Sequence, residues 1–217
     1  MSASPIAVEK RRQVLGASVA KTRSEDQEAD DDALLASSGE GDQHAFRALV
    51  SRHLARVLSL ARRMTGNLAE AEDVAQEAFL RAWQKAPGWR VGEARFSTWL
   101  YRVVVNLCLD RRRRKPMAPL EAAGDPSDPA PSAELRLVEG QRMRIVAAGL
   151  AALPDRQRAA LVLSYYEGVS NIEAAEALGV SVSALESLLV RARRALRAEL
   201  EGQRSAVMDW GNDGIEE

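Results

Sequence analysis

Three sets of side chains in this chain have types and spacings that could do chemistry, and all three suit binding rather than bond-making. At 100° per residue, Ser183, Ser187, Val190 and Arg194 share one helix face, flanked by Arg191 on one side and Glu186 and Arg197 on the other. Hydroxyls and guanidinium groups are what phosphates and base edges are read with. A second face carries Arg95, Arg102, Asn106 and Arg113 and runs into the Arg111–Arg114 cluster. Six of the ten aromatics lie beside it, in 79–101. Guanidinium beside exposed rings fits single-stranded DNA, because the cation binds phosphate and the rings stack on unpaired bases. The third set, Asp73, Gln76, Glu77, Leu80 and Gln84, puts a leucine among acids and amides, which suits a protein partner better than water.

A reaction centre does not emerge from these residues. Glu70, Glu72, Asp73 and Glu77 spread around their helix instead of converging, and no Glu-x-x-His pair accompanies them. No phosphate-binding loop, dinucleotide fingerprint or zinc-protease motif occurs. His44, His53 and Cys108 are the remaining soft ligands, too few for a metal sensor. No catalytic residue, metal, cofactor or small-molecule substrate is therefore expected.

The elements that must position these side chains are helices. Ser170 and Glu173 have capping-box spacing ahead of a short helix with Ala174, Ala175 and Leu178 behind them. Gly179 stands where the chain must turn sharply, and Ser183 and Glu186 offer a second capping box before the arginine-rich helix. That helix buries Leu185, Leu188, Leu189, Ala192 and Leu196. One amphipathic helix alone is equally a solvated face of a small bundle. The short helix and glycine turn before it make a helix-turn-helix, a shape suited to the DNA major groove. Residues 68–86 form another amphipathic helix, with Ala71, Val74, Ala75, Ala78, Phe79 and Ala82 inward and Trp83 at the edge. Phe96, Leu100, Val103 and Leu107 make the buried stripe of the next.

Helical periodicity fills about 31–115, broken at Gly66-Asn67 and near Pro87-Gly88, and resumes over about 134–202, broken at Pro154, Gly168 and Gly179. Five of the eight prolines fall in 116–131, the mark of a flexible tether. The expected organisation is all-α: a mobile extension over 1–30, a helical domain over 31–115, a Pro-rich linker over 116–133, a helix-turn-helix domain over 134–202 and an acidic tail over 203–217. The formal net charge of −1 hides segregation, with acids crowding 25–32 and an unbroken basic run over Arg111–Lys115. One cysteine excludes a disulfide framework, and Cys108 reads as a small buried hydrophobe. With no apolar run of about 18 residues and no signal core, the expected location is cytoplasmic.

Taken together, these motifs resemble bacterial sigma factors of the extracytoplasmic-function (ECF) group of the sigma-70 family. AEDVAQEAFLRAW (71–83) resembles their core-polymerase-binding helix, and FSTWLYRVVVNLCLDRRRR (96–114) their promoter −10 segment. LPDRQRAALVLSYYEGVSNIEAAEALGVS (153–181) and the helix after it resemble their −35-binding domain. The resemblance implies region 2 and region 4 domains that give core RNA polymerase promoter specificity and help melt the −10 element. It implies that Asp73, Gln76, Glu77 and Leu80 meet the polymerase β′ clamp, while the second domain reaches the β flap. It implies −10 contacts by Arg95, Thr98, Trp99, Arg102, Asn106, Arg112 and Arg113, with the loop around 87–95 capturing a flipped base. It implies −35 contacts by Ser183, Glu186, Ser187, Val190, Arg191 and Arg194, and control by an anti-sigma factor, often membrane-bound. Glu186 and Leu188 depart from the family, in which basic residues are common at both places.

Two other classes compete. A sigma mimic that binds only an anti-sigma protein does not need the basic stripe. A conventional helix-turn-helix regulator calls for a ligand pocket or dimer helix in 31–115, not acidic and aromatic-basic surfaces.

Overall fold

The computed structural model describes residues 31–92, 94–114 and 145–212, and for 203–212 the backbone only. The expected N-terminal extension, the Pro-rich linker and the last residues of the tail lie outside them. Every regular element among the described residues is helical.

The first unit comprises α1 (31–39), α2 (Gln43–Thr65), α3 (Leu68–Lys85), a 3₁₀ turn (Ala86–Gly88) and α4 (Phe96–Arg114). Local chemistry sets its breaks. Asp42 caps α2 by accepting from the backbone N–H groups of His44 and Ala45. Gly66 ends the same helix at φ 75°, in the left-handed region, and Asn67 at once caps α3 by accepting from Glu70 N. The buried residues of α3 are Ala71, Val74, Ala75, Ala78, Phe79 and Ala82, the inward face expected from periodicity. They pack against the α2 stripe Leu49, Val57, Leu60, Ala61 and Met64, and α4 adds Phe96, Leu100, Val104 and Cys108. Burying a side chain such as Phe96 fully contributes about 1.5–3 kcal/mol.

The second unit comprises α5 (145–152), α6 (Asp155–Leu161), a π-helical turn (Val162–Tyr166), α7 (Asn171–Leu178) and α8 (Val182–Asn212). The extra residue of the π turn, closed by Glu167 N to Val162 O at 3.2 Å, leaves Tyr165 and Tyr166 exposed. The Ser170–Glu173 capping box forms as expected, and Gly179 closes α7 at φ 63°. The second cap differs. Ser181, not Ser183, accepts from Ala184 N at 3.2 Å, and the expected Ser183–Glu186 box is replaced by a helix that starts at Val182. Nor does α8 stop near 202. Gly202 sits within it, and the helix continues to Asn212 through much of the expected tail. One interior glycine costs a helix only about 1 kcal/mol relative to alanine, so it need not end one.

The two units pack directly on each other. Arg158, 1% exposed, is the pin. Its guanidinium donates to Leu150 O at 2.6 Å and Leu153 O at 3.2 Å, to Ala151 O, and across the junction to Met64 O at 2.8 Å. These carbonyls lie at the ends of α5 and α2, where intrahelical partners run out and a cation is favoured.

Candidate nucleic-acid interface

The −35 candidates sit on α8 as the wheel predicts. Leu185, Leu189 and Ala192 are buried against α6 and α7, with Leu188 and Leu196 half-buried, which leaves Ser183, Glu186, Ser187, Val190, Arg191 and Arg194 all exposed. Val190 is an apolar side chain 59% exposed among polar neighbours, outside the core.

On α3, Asp73, Gln76 and Leu80 are exposed and Glu77 is half-buried. Two of the acids already have partners: Glu77 accepts from Arg81 Nε at 2.8 Å, and Asp73 lies 3.4 Å from Arg111 at the basic end of α4. Leu80, 51% exposed, stands uncovered beside them.

The −10 candidates are in a different position. Between the 3₁₀ turn and α4 the chain makes a loop whose tip, Val91 and Gly92, is exposed, with Gly92 at φ 84°. Its two ends are fixed by rings. Trp89 meets Phe96 edge-on at 5.9 Å and Trp99 at 5.8 Å, Phe96 stacks on Trp99 at 6.1 Å, and His53 closes the cluster on Phe96 at 5.2 Å. Trp99 is half-buried within it. Thr98 is 3% exposed, because it falls on the inner side of α4 with Tyr101 and Val105; in this arrangement it cannot touch DNA, a correction to the expected set. Arg102, Asn106 and Arg113 are exposed, and Arg95 and Arg112 half-buried.

What covers this face is α7. Arg95 NH1 bonds Glu173 Oε1 at 2.6 Å. Arg102 donates to Glu176 O from Nε at 3.1 Å and from NH2 at 2.5 Å. The first contact uses a carboxylate in the opening turn of α7, the second a carbonyl at its C-terminal, dipole-negative end. Nearby, Arg112 pairs with Asp155 at 3.0 Å, Ser59 donates to Glu167 at 3.2 Å, and the Arg63 guanidinium lies 4.3 Å from the Tyr166 ring centroid. Burial pushes the Glu167 carboxyl up, against the pull of the Ser59 hydroxyl and of Arg63 and Arg56. Burial also acts to raise Glu173, but hydrogen bonds from Ser170 and the Arg95 charge outweigh it and hold that carboxyl below its ordinary value. Three arginines expected to meet the −10 strand are thus held by carboxylates and a carbonyl of the second unit.

Sequence reasoning did not single out Arg158, Glu173 as an acceptor for Arg95, or the buried Asp31. A capping-box glutamate signals a helix start, and nothing local marks it as a cross-domain partner. Cys108 is buried as expected, and burial is the largest cause pushing its thiol up to about 12, so it is unreactive at neutral pH. No helix among the described residues is long and apolar enough to cross a membrane.

Comparison with known proteins agrees with this geometry. The Sigma-70 region 2 family model matches residues 49–116, and the Sigma-70 region 4 model matches 143–196. The chain is 36% identical to the ECF RNA polymerase sigma factor SigW of Bacillus subtilis, over 74% of this chain and 91% of that protein. It is 38% identical to the ECF RNA polymerase sigma factor SigM of Mycobacterium tuberculosis, over 78% of this chain and 84% of that one. Among solved structures, CnrH in complex with the cytosolic domain of CnrY superposes with a TM-score of 0.62 at 29% identity, covering 80% of this chain and 98% of CnrH. The sigma factor RpoE of Bartonella quintana, solved in complex with the anti-sigma factor NepR, shares the fold at a TM-score of 0.60 and 21% identity, over 72% of this chain and 96% of RpoE. With both halves matched in order, and relatives covered across most of their own length, the chain belongs to the ECF group of RNA polymerase sigma factors, the subunits that direct core polymerase to promoters.

Proposed function

We propose the following division of labour for this sigma factor, which itself makes and breaks no bonds. Residues 31–115 form the polymerase- and −10-binding domain, and the helix-turn-helix domain of 134–202 binds −35. Asp73, Gln76, Glu77 and Leu80 dock on the β′ clamp, while the second domain reaches the β flap. Loop 87–95 captures a base flipped from the −10 strand, with Arg95, Trp99, Arg102, Asn106, Arg112 and Arg113 holding the backbone and stacking on bases. Extruding a base costs a few kcal/mol, which a shaped pocket and phosphate contacts offset. Ser183, Glu186, Ser187, Val190, Arg191 and Arg194 read the −35 duplex, with Glu186 accepting from a cytosine amino group.

The observation that carries this reading is the uniform exposure of those six α8 residues above a buried leucine face. Arg95, just before α4, and Arg102 on it are by contrast already held by α7, which must open away to free their donors for a strand. Core polymerase, which would hold the two domains apart, supplies the free energy for that opening by binding only the open form. Once both domains sit on one polymerase, each weak DNA contact becomes effectively intramolecular. An anti-sigma factor holding the chain away from polymerase completes the scheme. The RpoE structure, solved with the anti-sigma factor NepR, supports such control, and CnrH too was solved with a protein partner, the cytosolic domain of CnrY.

Run-off transcription with purified core polymerase on fragments of the source genome tests the scheme. Discrete new transcripts are expected, with both promoter elements shared among them. Binding to polymerase without any transcript leaves the promoter-reading half unsupported, and failure to bind polymerase contradicts the whole assignment.

A further inference from the structure

The acid run at 25–32 has no part in the scheme above, yet its last two residues are built into the fold. Asp31 is completely buried at the start of α1. Its carboxylate takes Arg52 NH1 at 2.6 Å on one oxygen and His53 Nε2 at 2.7 Å on the other. His53 is the residue whose ring meets Phe96, the first residue of α4. Asp32 accepts from the indole Nε1–H of Trp89 at 3.1 Å. Trp89 opens the exposed loop and Phe96 closes it. At its other end α1 touches the turn before the loop: a Cβ on Gly39 would stand 2.8 Å from Ala86 O and 3.2 Å from Pro87 Cα. Only a glycine lets the two backbones approach so closely.

From this geometry we infer that Asp31, Asp32 and Gly39 make α1 the positioning element of the −10 capture loop, fixing it at Trp89, at Phe96 through His53, and at Ala86. None of the three touches DNA. They set where the tip residues Val91 and Gly92 stand, and a pocket for a flipped base tolerates little misplacement. The inference rests on the proposed role of the loop.

Asp32 is the residue to test, because it is only half-buried, whereas replacing Asp31 would remove a fully buried carboxylate that both Arg52 and His53 contact. The full chain is assembled with core polymerase on a promoter found by run-off, and unpaired −10 thymines are read by permanganate. Asp32→Ala is expected to lower reactivity about tenfold with polymerase affinity, −35 protection and melting temperature unchanged. Asp32→Asn keeps an oxygen acceptor for the indole and should restore it. Trp89→Phe, which keeps a ring but loses the N–H, should match Asp32→Ala, and the double variant should be no worse than either. Additive losses, or an Asn variant as poor as Ala, would overturn the inference, as would Asp32→Ala behaving like wild type. Val91→Asp at the loop tip separates the two readings. If it leaves opening intact, the loop is not the capture element and both readings fall. If it abolishes opening while Asp32→Ala does not, only the positioning role fails.

Discussion

Helices α4 and α8 carry the two arginine-bearing faces of this sigma factor, and the fold treats them in opposite ways. On α8 the residues proposed for −35 all point to solvent, and Ser187 bonds no further away than Ser183 O in its own helix. At α4, Arg95 just before it and Arg102 are spent on α7, and Arg112 on Asp155. The same chemistry that would hold a nucleic-acid strand is satisfied by the protein's own acids. Contacts of this kind are shallow: a partly exposed ion pair contributes about 0–1 kcal/mol, and polar interfaces between domains of one chain are readily exchanged. On the proposed roles, the free chain displays the helix assigned to the duplex and ties up three arginines of the face assigned to the single strand. The proposed scheme therefore predicts that melting waits until polymerase separates the domains.

The largest perturbation of this asymmetry should come from Arg158→Met. It removes a buried cation that serves carbonyls of both units, at about 1–3 kcal/mol for each buried group left without a partner. Thermal unfolding should show a destabilisation of at least about 3 kcal/mol. A loss below about 1 kcal/mol would mean that the junction does not depend on this residue.

The exposed side of the comparison is sharpened by Arg191→Ala combined with Arg194→Ala. If both arginines neutralise phosphates, the slope of log affinity against log salt for −35 duplex should fall by about 2. A slope equal to wild type removes them from the phosphate contacts.

A smaller effect is expected from Glu173→Gln. Glutamine preserves the capping box but not the charge that holds Arg95. The free chain should then bind single-stranded −10 DNA several-fold better, worth no more than about 1 kcal/mol, with duplex affinity unchanged. Equal gains for both DNA forms would break the distinction between the two faces.

The smallest effect is on pH. Because Glu173 is held below its ordinary value of 4.5, its contribution to closure is complete above that value and is lost as pH falls through the lower folded one. Between pH 6 and 8 this group should therefore produce no change in strand binding, whereas acidification well below its ordinary 4.5 should loosen the domains. A midpoint near neutrality in a strand-binding titration would implicate some other group.

Legibility divides along the line between local and distant contacts. The buried face of α3, the Ser170–Glu173 box and the exposed row of α8 follow from periodicities and caps within single helices, and the sequence carries them openly. The choice of Ser181 over Ser183 as cap lies between two serines of equal chemistry, decided by where the helix begins. Thr98 could be on either side of α4 until the packing of its neighbours is known. Arg158 finds Met64 across 94 residues, Arg95 finds Glu173 across 78, and Asp31 finds His53 across 22. No pattern in a single helix encodes such pairs. The contacts of α7 with Arg95 and Arg102 and the anchoring of the loop between Trp89 and Phe96 are invisible in the sequence for that reason.

On the proposed scheme, the free chain is closed over α4 and opens on polymerase. Fluorescence energy transfer between labels at Glu72→Cys on α3 and Ala198→Cys on α8 measures this directly, since both positions are exposed and the buried Cys108 stays unlabelled. High transfer in the free chain, falling on addition of core polymerase, is the predicted result. Low transfer in the free chain, or transfer that polymerase leaves unchanged, would contradict it.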